Sequence, residues 1–229
     1  MENAQIVLDP RLSAIAEMAG SCPSFADIGT DHGRLGAYML LRGQCSRAQF
    51  LDISGPSLDK ARRLIERLNL TDRAVFSVGD GAAALLEKPD VVVIAGMGGT
   101  TIAGIIERGQ AELGDAKLIM QPNVAQPELR ERLMRCGYRI TDERVVQDGR
   151  RNYIIIAAEL GKAAYSETEL VVGPVLYAQR PPELLPYAHF RLRVAKKALQ
   201  GADGHAEEVA RELRREIAIW EEMEKCLQA

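Results

Sequence analysis

Phe25-Ala26-Asp27-Ile28-Gly29-Thr30-Asp31-His32-Gly33 is the stretch that decides the fold: an apolar run stops at an acidic residue and a glycine, then turns into a helical segment. Strand-to-helix turns of this kind cradle nucleotide-like ligands. Asp52 closes a second apolar run about 20 residues further on, the spacing at which a Rossmann-like fold grips a ribose. A later turn, Ile94-Ala95-Gly96-Met97-Gly98-Gly99, is rich in glycine. Glycine there costs conformational entropy and adds no packing, so something must lie against that backbone. Together the three turns indicate an enzyme.

Outward from these turns the pattern is regular. A short helix over Arg11 to Gly20 precedes strand candidates at Ser24–Ile28, Ala48–Asp52, Ala74–Val78, Val91–Ala95 and Lys117–Met120. Helical stretches follow at Arg34–Leu41, Pro56–Leu68, Gly81–Leu86, Thr100–Arg108 and Pro127–Cys136, with Pro56 and Pro127 suited to a first helical turn. Such alternation predicts a parallel sheet with right-handed crossovers. Tyr138–Gln147 and Tyr153–Glu159 then follow as two β-rich runs joined through Asp148-Gly149, a hairpin signal. Five parallel units ending in an antiparallel hairpin give an α/β fold with the seven-stranded, Rossmann-like sheet of class I methyltransferases, rather than the six-stranded sheet of a dinucleotide dehydrogenase.

The chain of 229 residues suits one α/β domain with a small appendage, expected as residues 1–161 and 162–229. A formal charge of −3 gives no global basic signature, so any nucleic-acid surface must be a local patch. The four cysteines, Cys22, Cys45, Cys136 and Cys226, stand far apart and show no metal-ligand spacing, which reads as reduced, core-filling thiols. Neither a membrane-length apolar run nor a targeting pattern is visible, so a soluble, cytoplasmic protein is expected. Beyond Gly161 the sequence reads as helical. Helices from about Tyr187 to Leu199 and from about His205 to Leu227 flank Gly201-Ala202-Asp203-Gly204. Val194 and Leu199 on one, and Val209, Leu213, Ile217, Trp220 and Met223 on the other, supply the apolar seam of an antiparallel hairpin or coiled coil.

The first loop sets backbone amides near a helix start, where their partial positive charge holds a carboxylate such as the methionine tail of a methyl donor. Asp27 suits the amino group of that tail, directly or through water, and Gly29 permits close backbone approach. Asp52 can accept from ribose hydroxyls or cap the next helix. Asp80, between Gly79 and Gly81, either accepts from an adenine amino group or caps a turn. Gln121-Pro122-Asn123 either reads a base edge or forms a solvent-facing proline turn.

With these residues assembled, the chain resembles the TrmK family of bacterial tRNA (adenine(22)-N1)-methyltransferases. The resemblance runs from about Leu8 to Leu160 and rests on Asp27-Ile28-Gly29-Thr30-Asp31-His32, Gly79-Asp80-Gly81, Ile94 to Gly99, and Leu118-Ile119-Met120-Gln121-Pro122-Asn123. It implies S-adenosylmethionine as donor, with S-adenosylhomocysteine as product. The donor would be held by Asp27, Ile28, Gly29, Thr30, Asp31 and His32 at the first loop, Asp52 at the ribose, Asp80 and Gly81 at the adenine, and Ala95, Gly96 and Met97 beside the methyl group. It also implies tRNA as partner and no metal. Arg34 and Gly36 stand where the family usually carries a tyrosine and a proline.

N1 lies on the pairing edge of adenine, so the base must be unpaired and flipped out. Its lone pair needs placement more than a strong base. Asp31 is the candidate for stabilising the cationic product, with Gly98 and Asn123 positioning the base. His32 either touches the donor or caps the first helix, while His189 and His205 read as solvated. Arg191, Arg193, Lys196 and Lys197 either meet tRNA phosphates or form a solvated helix face, and Glu207, Glu208, Glu221 and Glu222 would repel RNA. Monomer and homodimer stay open, as do another acceptor and a noncatalytic donor-binding scaffold. The lack of an NPPY-like tetrad argues against methylation of an exocyclic amino group.

Overall fold

A computed structural model describes residues 6–201 and 207–228, and the chain separates into two compact units that divide between Ala164 and Tyr165. Of the expected glycine-rich break, Gly201 is still helical, whereas residues 202–204 and His205 lie outside the described residues. In the first unit the order is α1 (Pro10–Ala19), β1 (Cys22–Ile28), α2 (Arg34–Leu41), β2 (Cys45–Asp52), α3 (Gly55–Arg67), β3 (Ala74–Val78), β4 (Val91–Met97), α4 (Gly99–Arg108), α5 (Gln110–Leu113), β5 (Lys117–Pro122), α6 (Gln126–Arg135), β6 (Tyr138–Asp148) and β7 (Arg151–Leu160). The seven strands lie in the order β3-β2-β1-β4-β5-β7-β6, the first five parallel and the last pairings antiparallel. This is the Rossmann-like methyltransferase sheet expected from the sequence.

Val92, Val93 and Ile94 of β4 are wholly buried, as a parallel strand covered on both faces must be. Ile15 of α1, Phe25 of β1, Met39 of α2, Phe50 of β2 and Ile65 of α3 belong to one core. Gly36 faces the Phe50 ring so closely that any Cβ would overlap it. Cys22 and Cys45 are buried within this core, and burial pushes their thiols up to about 11 and about 12, which leaves them unreactive near neutrality.

The helix expected over Gly81–Leu86 is only a 3₁₀ turn, Gly81–Ala84. The buried Gln49 side chain explains the stop. Its Oε1 accepts from the N–H groups of Leu86 (3.0 Å) and Glu87 (3.2 Å), and its Nε2 donates to the Glu87 carbonyl (2.8 Å), which holds the chain extended. Gly149, at φ +58, makes the β6–β7 turn.

The second unit holds α7 (Glu167–Val172), α8 (Pro174–Gln179), α9 (Leu184–Gly201) and α10 (Glu207–Gln228). Ser166 and Glu169 form a capping box at the start of α7. The α9–α10 seam differs from expectation. Tyr187, Ala188, Leu192 and Ala195 are the buried face of α9, with Trp220 and Met223 on α10, whereas Val194 and Val209 are exposed. Tyr187 meets Trp220 edge-on at 5.6 Å between centroids. Among the described residues, no helix is long and apolar enough to cross a membrane.

A buried ion pair joins α6 to β6: Arg130 Nε donates to Glu143 Oε1 at 2.8 Å, with both side chains almost fully excluded from solvent. Removing one partner leaves an uncompensated buried charge. Glu143→Ala is therefore expected to lower unfolding free energy by about 3–5 kcal/mol in urea denaturation, while Arg130→Met combined with Glu143→Leu recovers most of that loss.

Candidate active site

The crossovers from β1 and β4 leave in opposite directions, so a crevice opens beyond the carboxyl ends of these neighbouring strands. A cavity of about 340 Å³ fills it, within the range of roughly 300–1,000 Å³ usual for small-ligand clefts. Asp27, Gly29, Thr30, Asp31 and His32 line one side, Ala95 and Gly96 another, and Asp9, Arg11, Leu12, Arg34 and Leu35 complete it.

Asp27 is buried, and desolvation pushes its carboxyl up to about 6. Nearby Thr30 and Arg11 pull the other way, and Asp52 adds to the rise. The Thr30 hydroxyl lies near this carboxyl, yet its buried Oγ1 meets no partner of hydrogen-bond geometry. A buried polar atom left so is costly unless a ligand completes it. The backbone amides of the first loop behave differently from expectation. Those of Gly29 and Thr30 both donate to the Leu51 carbonyl, at 2.7 and 3.1 Å. At the start of α2, Gly33 takes a left-handed conformation and no side chain caps the helix, which leaves that end suited to an anion. Ile28 is a core residue, 3% exposed, and its side chain does not line the cavity.

The glycine turn divides its work. Gly96 has φ +80 and open space where a Cβ would sit. Gly99, by contrast, is pressed against the Ala125 carbonyl, and its N–H donates to the Val124 carbonyl at 2.8 Å. The neighbouring chain, not a ligand, explains that second glycine. At Gly98 a Cβ would make only ordinary contacts with Thr101 and Val124. A Cβ at Gly29 would overlap the Met97 methyl, so Met97 lies directly over the first loop.

Asn123 is built into this wall. Its Nδ2 donates to the Gly96 carbonyl (2.7 Å), its N–H to the Met97 carbonyl (2.8 Å), and its Oδ1 accepts from Gln121 Nε2 (3.1 Å). Gln121 is fully buried and accepts in turn from Arg11 Nη1 at 3.0 Å. The chain Arg11–Gln121–Asn123–Gly96 thus ties α1 and β5 to the open glycine. Arg11 was not foreseen from sequence, because a single arginine in an amphipathic helix carries no signal of a partner 110 residues away.

The remaining acids are oriented rather than idle. Asp52 Oδ1 accepts from the Ser54 N–H at 2.7 Å, while Ser54 itself caps α3. Asp80 makes no cap, and pairs with Arg108 at 3.1 Å; Gly81 beside it has φ +62 and is backed by Ile105. Asp31 is exposed and shared between Lys60 (3.0 Å) and His32 Nε2 (2.9 Å), so His32 serves as a partner for Asp31 instead of a helix cap. Among the described residues, no cluster able to hold a metal ion occurs.

In the helical unit, Arg191 pairs with Glu216, and Lys196 with Glu221 at 2.7 Å; the lysine holds the Glu221 carboxyl below its ordinary range. His189, expected to be solvated, bridges to Glu224 at 2.7 Å. Arg193 and Lys197 remain exposed.

Buried Asp27, the Thr30 hydroxyl and the open Gly96 backbone fit a ligand with a cationic head. A seven-stranded sheet with that cavity at its switch point defines a class I methyltransferase. The methyltransferase-domain profile matches residues 8–156. The Bacillus subtilis tRNA (adenine(22)-N(1))-methyltransferase is 33% identical over 184 residues, covering 77% of this chain and 77% of that protein. The crystal structure of the B. subtilis M1A22 tRNA methyltransferase TrmK superposes with a TM-score of 0.86 at 27% identity, over 96% of this chain and 100% of that one. A Streptococcus pneumoniae candidate tRNA (m1A22) methyltransferase, solved with S-adenosyl-L-methionine, gives 0.86 at 26% identity over 95% and 100%. The chain belongs to the tRNA (adenine(22)-N1)-methyltransferase family.

Asp27 yields a pH prediction. A carboxyl whose folded pKa of about 6 lies above its ordinary value of 3.8 favours the protonated native state. The free protein should therefore lose stability as pH rises from about 4 through about 6, by on the order of 3 kcal/mol, and Asp27→Asn should abolish that loss. Donor affinity should run oppositely, tightening over the same window in the wild type and losing this dependence in Asp27→Asn, as titration calorimetry would show.

Proposed function

We propose that this chain transfers the methyl group of S-adenosylmethionine to N1 of adenine 22 in the D-arm of tRNA, acting in the cytoplasm and releasing S-adenosylhomocysteine. The observation that carries the donor reading is the convergence of Asp27, Thr30 and the Gly96 backbone on one cavity. Kinship with the B. subtilis enzyme over most of both chains supports the acceptor.

Bound S-adenosylmethionine supplies a methyl group activated by positive sulfur. Around it, ionised Asp27 pairs with the ammonium of the methionine tail, Thr30 completes its hydroxyl there, and the α2 amino end takes the carboxylate. Asp52 holds the ribose, and Asp80 the adenine beside Gly81. Gly96 and Met97 would lie beside the methyl group of the donor. Asn123 fixes the Gly96 carbonyl and, with Gly98, the rim against which the acceptor base lies. Attack by the N1 lone pair removes no proton, so these residues align and need no general base. Asp31, its carboxylate oriented by Lys60 and His32, is assigned the stabilisation of the positive charge that develops on the base. In the helical unit, Arg193 and Lys197 contact tRNA phosphates, while Arg191 and Lys196 hold α9 to α10.

With labelled donor and an unmodified transcript, label should enter tRNA carrying adenine at position 22 and stop primer extension there, and a guanine-22 transcript should stay unlabelled. Donor binding without label in the adenine transcript would overturn the acceptor assignment. Asp31→Asn should lower kcat roughly tenfold while shifting donor Kd less than about threefold; unchanged kcat would remove Asp31 from the mechanism.

A further inference from the structure

A second, larger cavity of about 960 Å³ lies beside the donor site, between the start of α2 and one face of α3. Among the described residues, four cations line it, Arg34, Lys60, Arg63 and Arg67, against the one carboxylate of Glu66. On α3 the lining positions Lys60, Arg63, Leu64 and Arg67 fall at i, i+3, i+4 and i+7, which is one helical stripe. Seven residues of helix extend about 10 Å, so the charges form a track rather than a point. Arg62, the other cation of this segment, points elsewhere and covers the Phe76 ring at 4.5 Å.

The cations differ in commitment. Arg34 is anchored to the Val7 carbonyl and Lys60 to Asp31. Arg63 and Arg67 are exposed, and among the described residues neither enters an ion pair. His32 and Arg34 line both this groove and the donor cavity, so the positive track runs into the mouth of the active site.

We propose that this groove is a docking track for the phosphate backbone of the tRNA substrate, guiding the flanking strand so that the flipped base enters beside Gly96. The inference rests on the tRNA methyltransferase reading and adds a contact surface within the catalytic unit. A chain whose overall charge is −3 can attract a polyanion only through a local concentration of cations. The stripe is extended, as a polyanion requires, where a single small anion would need one convergent pocket. Arg34 and Lys60, held by Val7 and Asp31, give the track a fixed end at the catalytic side, and Arg63 and Arg67 carry it outward.

The test uses Arg63→Glu/Arg67→Glu, the milder Arg63→Gln/Arg67→Gln, and Arg193→Glu/Lys197→Glu on the helical unit, each in the full chain. Steady-state methylation of the adenine-22 transcript over a range of salt is measured beside equilibrium tRNA binding, donor affinity and thermal unfolding. For Arg63→Glu/Arg67→Glu, KM for tRNA should rise by about tenfold or more near 0.1 M salt, and the slope of log affinity against log salt should shrink by about two. At saturating tRNA, kcat and donor affinity should stay within about twofold of wild type, with the glutamine pair intermediate. Wild-type KM and salt slope in both groove variants would overturn the proposal, including the case where only the helical-unit variant weakens tRNA. Should the wild type bind tRNA but methylate none, the acceptor reading fails separately, and loss of binding in the groove variants would still sustain the track.

Discussion

The parallel pairing of β1 with β4 is the constraint on which this molecule depends. β1 continues to β2 and β3 on one side, and β4 to β5 on the other, so no crossover covers the carboxyl ends of the central pair. Both strands end there in glycine-bearing turns, and polar groups otherwise excluded from an apolar sheet meet at that edge. The wall opposite Asp27 is then fixed by β5. Asn123 joins the Gly96 and Met97 carbonyls to Gln121, and Gln121 joins Arg11 of the preceding helix. Ala125 pays for this closeness with a left-handed backbone at φ 60, the kind of strain that persists only where neighbours over-determine a loop.

Electrostatically the site is prepared for a cationic ligand before one arrives. Asp27 is buried and disfavours its own charge, while Asp31 is exposed and held in place by contacts with Lys60 and His32. Two carboxylates four residues apart thus differ because one faces the core and the other the rim. Precise placement of such groups, more than proton transfer, is what a methyl transfer to a free lone pair asks of a protein.

Much of this was legible in the chain because a parallel sheet writes itself plainly: Val91 to Ile94 is an unbroken buried run, and the turns after it must be glycine-bearing. The α/β alternation and the closing hairpin followed from the same periodicity. What stayed hidden depended on partners distant in sequence. Gln49, reaching Leu86 and Glu87, ended a segment that looked helical by composition. Gly99 reads as ligand-facing until the Ala125 carbonyl is seen against it. The Arg130–Glu143 pair lay unsignalled, since two charged residues in charged surroundings look solvated. In the tail, spacing alone put Val194 and Val209 in the seam, whereas the large aromatic surfaces of Tyr187 and Trp220 decided what was buried.

The ion pairs of the helical hairpin also settle what each helix can associate with. His189, Arg191 and Lys196 all come from α9, and Glu224, Glu216 and Glu221 all from α10. Helix α9 contains no acidic residue at all. Two α9 segments side by side would set cation against cation, and like-with-like assembly is thereby disfavoured. Opposite-sign pairing fixes the antiparallel partner and at the same time screens most of the positive charge of α9. On α9 the positive charge left uncompensated is that of Arg193 and Lys197, both exposed and outside any ion pair among the described residues, so the field of this helix is concentrated on one side of it.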